Sequence, residues 1–152
     1  MAEYITFQPS DNFNTKLYTG TGSSNAITGV GFQPDFTWIK NRDDTDWHIL
    51  TDAVRGVTKQ VFSNETNAEA TQANNINSFD SDGFTVGTEG QVNFNTEDFA
   101  SWNWKAGTTS GIATNGSTTI TPTGYSFNQT SGFSTIAYTG NSTSGAKIPH
   151  GS

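Results

Sequence analysis

Three aspartates, Asp43, Asp44 and Asp46, crowd four positions of the stretch "NRDDTDWH". Clustered carboxylates offer the hard oxygen ligands that Ca2+ prefers. Asp80 and Asp82, in "DSDG", resemble the opening of a calcium-binding loop, although no Glu follows at the required distance and Glu89 stands too close. Against calcium stands a plain alternative, in which each acidic run is a solvated turn and the first joins a strand carrying Trp38 to one carrying Trp47. A structural Ca2+ is thus the one cofactor to consider. With only His48 and His150, far apart in sequence, a transition-metal site is not expected.

Catalytic chemistry finds little footing. Glycoside hydrolysis needs two carboxylates flanking the scissile bond, but Glu97 and Asp98 are adjacent and would point to opposite faces of a strand. Nothing marks Glu89 and Glu97 as a pair. No Gly-x-Ser-x-Gly occurs, and Asp46 with His48 has no nucleophile beside it. "GNSTSGAKI" has the outline of a phosphate loop. However, Ala146 separates the second Gly from Lys147, and Pro149 forbids a following helix. The expectation is a protein that is not an enzyme.

The tryptophans are the remaining candidates. Trp102 and Trp104 share one face of "DFASWNWKAG", and Trp38 and Trp47 lie in other strand-like stretches. Such rings stack on sugars, and they equally build sandwich cores, which is the better expectation for alternating aromatics in strands. Four Asn-x-Ser/Thr sequons, at Asn64, Asn115, Asn128 and Asn141, are explained by composition.

These residues sit in a chain of 152 residues with a formal net charge of −7 and only seven Lys and Arg, scattered along its length. No basic face is available to displace counterions from phosphates, so nucleic acid is excluded as a partner. No apolar run approaches the roughly 18 to 20 residues that a membrane-spanning helix needs. Hydrophobic residues make up 32%, low for a folded domain, but four Trp, four Tyr and eleven Phe supply large buried areas. Cysteine is absent, which rules out disulfides and thiol chemistry. The opening "MAEYITFQPS" lacks the marks of a secretory signal, which suits synthesis and folding in a cytoplasm.

Period-two alternation dominates. "DFTWIKNR" sends Phe36 and Trp38 one way and Thr37 and Ile39 the other. "FSTIAYTG" alternates likewise, and shorter strand candidates are "YITFQ", "KLYTG", "NAITGV", "WHILTD", "KQVFS", "GFTVGT" and "STTITPT". Asp82-Gly83 reads as a hairpin turn. "NETNAEATQ", from Asn64 to Gln72, predicts one or two helical turns. Many short strands with regular turns indicate an all-β, antiparallel sandwich or jelly roll. Residues 1–106 form its body with an N-terminal attachment strand, 107–119 a Gly/Ser/Thr-rich linker or loop, and 120–152 terminal strands. Tyr18, Thr19, Gly20, Ala26 and Gly31 recur as Tyr138, Thr139, Gly140, Ala146 and Gly151, at an offset of 120 residues. The terminal strands therefore either begin a second repeat unit or complete the first sheet.

"YTGTGSSNAITGVGFQPDFTWIK", "DAVRG", "SNETNAEAT", "SFDSDGFTVG" and "FASWNWKAG", spanning Tyr18 to Gly107, resemble a repeat domain of tailed-phage virion proteins, especially those of marine phages. The resemblance implies a lectin-like jelly roll of the concanavalin A type and a place on the virion surface, as head decoration, head fibre or tail-fibre module. It carries over no catalytic residue. The implied partners are other capsid or tail proteins and further copies of the chain, with a trimer expected for a tail location. The alternative is a glycan-binding module for host-surface recognition, with Trp38, Trp47, Trp102 and Trp104 as stacking residues.

Overall fold

In a computed structural model of the chain, residues 8–151 are described. The strand candidate "YITFQ", and with it the attachment strand, lies outside them except for Gln8. The chain is an antiparallel all-β sandwich. Its strands are β1 (Phe13–Thr19), β2 (Asn25–Ile27), β3 (Phe36–Asn41), β4 (Ile49–Asp52), β5 (Lys59–Phe62) and β6 (Ala70–Thr71). They continue with β7 (Ile76–Asp80), β8 (Gly83–Val86), β9 (Asp98–Trp104), β10 (Gly124–Asn128) and β11 (Phe133–Ala137). A single helical turn, α1 (Gly90–Asn93), precedes β9.

Six strands form the large sheet in the order β1-β9-β3-β4-β5-β6, and three form the facing sheet in the order β2-β8-β7. The core lies between them: Ile39, Ile49, Phe62 and Phe99 from the large sheet meet Ile27, Ile76, Phe84 and Val86 from the small one. Tyr18 joins from β1, its ring stacked on Phe99 at 5.2 Å and edge-on to Phe84 at 6.3 Å. The Tyr18 hydroxyl donates to the Val92 carbonyl at 2.7 Å, and burial pushes the phenol well above its usual range.

Strand alternation decides which residues enter this core. Ile39 lies opposite Ser101, Thr37 opposite Asn103 and Asn41 opposite Phe99, all facing inward and buried. A polar row therefore crosses the interior through Thr51, Thr37 and Asn103 on three adjacent strands. Asn103 donates to the Asn14 carbonyl and the Ser101 hydroxyl, each at 3.1 Å. The Thr37 and Thr51 hydroxyls have no hydrogen-bond partner. Two sheets approach closely where their facing side chains are small, which suits Thr and Ser on this face better than Trp.

The β7–β8 hairpin turns through Ser81 and Asp82, with Asp80 paired to Gly83. Gly83 has φ +152°, and a Cβ there would run into the Ile27 carbonyl of the neighbouring β2. The predicted helix at Asn64–Gln72 does not form. Residues 63–69 are exposed coil, and Ala70 and Thr71 pair with Gln60 and Lys59 at the edge of the large sheet. With no apolar stripe to bury, a short helix there has nothing to hold it. The sequence around Ile120 is not a strand either; the Thr119 and Ile120 amides donate to the Lys147 carbonyl.

The terminal strands β10 and β11 pair with each other as a separate hairpin. It is tied to the body by a bridge between Thr108 and Phe127 and by the Ser126 hydroxyl, which donates to Asp35 at 2.9 Å. Asn128 donates to Asn12 at 2.6 Å.

Replacing Phe99 with Ala should cost about 3–5 kcal/mol of stability by opening a cavity at the centre of the core. Thr37→Val should instead stabilise by about 1 kcal/mol, because it removes a buried hydroxyl that has no partner at nearly constant shape. Urea denaturation followed by circular dichroism measures both. A lowered midpoint for Thr37→Val would mean that its hydroxyl is satisfied in solution.

Candidate functional site

The alternation that sends Thr37, Ile39, Phe99, Ser101 and Asn103 inward turns the large aromatics outward. On the outer face of the large sheet, Trp38 lies opposite Trp102, and Phe36 opposite Trp104. β1 adds Phe13 opposite Trp104, Thr15 opposite Trp102 and Leu17 opposite Ala100. β4 contributes Leu50 beside Trp38, and β5 contributes Val61 beside Leu50. The tryptophans are therefore not the sandwich core, which corrects the sequence expectation. They cover the opposite side of the same strands.

The rings form a continuous layer. Trp104 meets Phe13 at 4.9 Å and Phe36 at 5.3 Å, and Trp38 meets Trp102 at 5.8 Å with their planes 55° apart. Trp38, Trp102 and Trp104 line a solvent-open cleft of about 240 Å3. The Trp38 indole N–H donates to Nδ1 of His48 at 3.0 Å, which locks that ring's orientation and requires a lone pair on Nδ1. At the other end the hairpin covers part of the layer, with Phe133 stacked on Trp104 at 5.8 Å and 19°. Leu17, at 67% exposure, marks the uncovered margin. Three of the four predicted tryptophans thus come together, half-buried.

Trp47 does not join them. It lies in the loop before β4, 37% exposed, with its ring edge-on to Phe62 at 4.9 Å. Sequence reading placed Phe36 on the face of Trp38 but missed Phe13, Leu17 and Leu50 as members of it. The alternation of Phe13, Thr15 and Leu17 was the available signal, but only pairing with β9 reveals which side it serves.

The acidic candidates act as fasteners for loops. Asp43 accepts the Asp98 amide at 2.7 Å, Asp44 accepts the Thr45 amide at 2.6 Å, and Asp46 accepts from the Asn41 side chain at 3.0 Å. Asp80 accepts the Ser78 and Thr85 hydroxyls at 2.8 and 2.7 Å. Asp82 accepts the Gly29 and Gly31 amides at 2.8 and 2.7 Å, fixing the loop after β2. Among the described residues, no three His, Cys, Asp or Glu side chains are gathered in a way that could hold a metal ion.

Residues 8–152 match the family described as Domain of unknown function (DUF7483). The chain belongs to that family. No curated protein and no solved structure matches it. The DUF7483 match takes in the whole sandwich together with the terminal hairpin, so both parts of the aromatic face fall within one family unit.

Asp82 generates a pH prediction. The amides of Gly29 and Gly31 hold its carboxyl below the usual carboxylate range; desolvation opposes them in part, and the charge of Lys16 adds a still smaller lowering. A depressed folded-state value contributes stability above the unfolded value and loses it as pH falls through the folded one. Urea midpoints should therefore drop between about pH 5 and about pH 2, and Asp82→Asn should flatten part of that slope. An unchanged slope in the variant would remove Asp82 from the acid response.

Proposed function

We propose that this DUF7483 chain is a non-catalytic structural module of a tailed-phage particle, displayed on its surface as head decoration, head fibre or tail-fibre unit. Two things support the reading. The stretch from Tyr18 to Gly107 resembles virion repeat domains, and the large sheet presents an aromatic outer face that, among the described residues, the terminal hairpin partly covers. The second observation carries the assembly role. Contiguous exposed apolar surface marks an interaction site more often than it marks anything else on a folded protein. Its partners would be other capsid or tail proteins and further copies of the chain, with a trimer as the tail-located form. The lectin-like jelly-roll character of the sandwich belongs to the same proposal and rests on the resemblance. The formal charge of −7 would keep such a module soluble at high local copy number.

Gold-labelled antibody against the domain, imaged on purified particles, tests the proposal. Label over the capsid or along the tail is the expected result and separates the two locations. Intact particles without label would overturn it.

A second reading, glycan recognition at the host surface, is favoured by one feature: Trp38 and Trp102 are open to solvent beside the polar Thr15 and Lys40. Rings of this kind stack on sugars while neighbouring polar groups bond to hydroxyls. Tryptophan fluorescence titrated with host exopolysaccharide should then change in a saturable way, and Trp102→Ala should abolish the change. A flat titration would leave the assembly reading alone.

A further inference from the structure

The repeated phrase acquires a physical meaning once its first occurrence is seen in place. β1 and β11 are related by the same offset of 120 residues that relates Tyr18 to Tyr138, and Phe13 and Thr15 recur as Phe133 and Thr135. In the first occurrence the repeated residues from Phe13 to Gly20 have partners on or just before β9. Tyr18 lies opposite Phe99 and stacks on it. The Thr19 hydroxyl donates to Asp98 at 2.9 Å. The Gly20 amide donates to the Glu97 carbonyl at 2.8 Å, and its carbonyl accepts the Thr96 amide at 3.0 Å. Glycine is required at position 20 because a Cβ would collide with the Phe94 carbonyl.

In the second occurrence the same residues stand in solvent. Tyr138 is 50% exposed, Thr139 and Gly140 are exposed, and a Cβ at Gly140 would meet nothing within 4 Å. The backbone of β11 is open as well. Phe127 exchanges both its hydrogen bonds with Thr108, so its amide and carbonyl point away from β11. The residue opposite it, Ser134, therefore points its own amide and carbonyl away from β10, and by strand alternation so does Ile136. Among the described residues these groups make no bond to another element.

We infer that the free edge of β11 is a docking site for a β9-type strand from another unit of this family, one whose own first strand is missing. The hairpin thus completes a neighbouring sandwich by strand addition. The register follows from β1. The incoming strand's Phe lies opposite Tyr138 and its second Trp opposite Phe133, as Phe99 lies opposite Tyr18 and Trp104 opposite Phe13. A second intact copy of this chain cannot be the donor, because its β9 is already held between β1 and β3.

The probe is a synthetic peptide with the sequence of residues 95–107, titrated into the full chain labelled with 15N. A scrambled peptide serves as the control. Saturable shifts of the Ser134 and Ile136 amides and of residues 138–140 are expected with the β9 peptide alone. Ile136→Pro should abolish them, since it removes an outward amide that a solvent-facing edge position can lose without unfolding. Tyr138→Ala, at an exposed side chain, should weaken binding about tenfold by deleting the aromatic pair. Circular dichroism melting checks that both variants stay folded, and Tyr138→Ala decides the matter if Ile136→Pro does not. Absence of binding would overturn the inference. So would shifts confined to the Trp38 and Trp102 indoles or to the outer edge of β1, or equal binding by the scrambled peptide.

Discussion

The position of β9 between β1 and β3 is the constraint on which the rest of the molecule depends. All seven of its residues pair with β1, and six of them also pair with β3. Because side chains alternate, a slip of one residue would exchange Phe99, Ser101 and Asn103 for Ala100, Trp102 and Trp104 on the inner face. Two indoles would then have to fit where Ser and Asn now allow the sheets to close. Tyr18 and Phe99, stacked across the β1–β9 pair, oppose that slip from the core side. Phe13 and Trp104 oppose it from the outside.

This arrangement inverts the usual disposition of a half-buried sheet. Polar residues occupy much of the centre of the inner face, whereas the outer face carries the larger rings. The inner polar groups are only partly reconciled with burial, since Asn103 donates twice while the hydroxyls of Thr37 and Thr51 go unpartnered. The outer face needs a cover to be equally well buried. The terminal hairpin supplies one at Phe36 and Trp104 through Phe133, and leaves Leu17 exposed and Trp38 and Trp102 half-buried. The proposed interface role rests on that imbalance.

The carboxylates illustrate a different economy. In a chain with few basic residues, most acidic side chains find backbone amides, hydroxyls or the Asn41 amide instead of cations. Hydrogen bonds from two amides hold Asp82 ionised and stitch the loop after β2 to the β7–β8 turn. Cations enter at Arg42, 3.7 Å from Asp98, and at Arg55, which bonds to Asp52 at 2.6 Å and, together with Lys59, reaches Glu69, linking the β4 end to the segment before β6.

Much of the fold was legible in local pattern. Alternation in "DFTWIKNR" and "DFASWNWKAG" marked β3 and β9 and grouped their residues correctly by face. Asp-Gly marked the region of the β7–β8 hairpin. Alternation says which residues share a face, but not which face meets the second sheet. That choice depends on what packs against each side, and β2, β7 and β8 come from distant parts of the chain. Hydrophobicity alone favoured the tryptophans for the core; the fit of two sheets favoured Ile39, Phe99 and the small polar residues between them. The two acidic runs, Asp43/Asp44/Asp46 and Asp80/Asp82, offered calcium ligands or solvated turns; their carboxylates accept hydrogen bonds from near and distant donors alike, Asp44 from Thr45 and Asp82 from Gly29 and Gly31. The sequence by itself determined an antiparallel all-β chain with two-faced strands. Only the tertiary structure decided that the aromatic face looks outward, because burial is a property of the partner as much as of the strand.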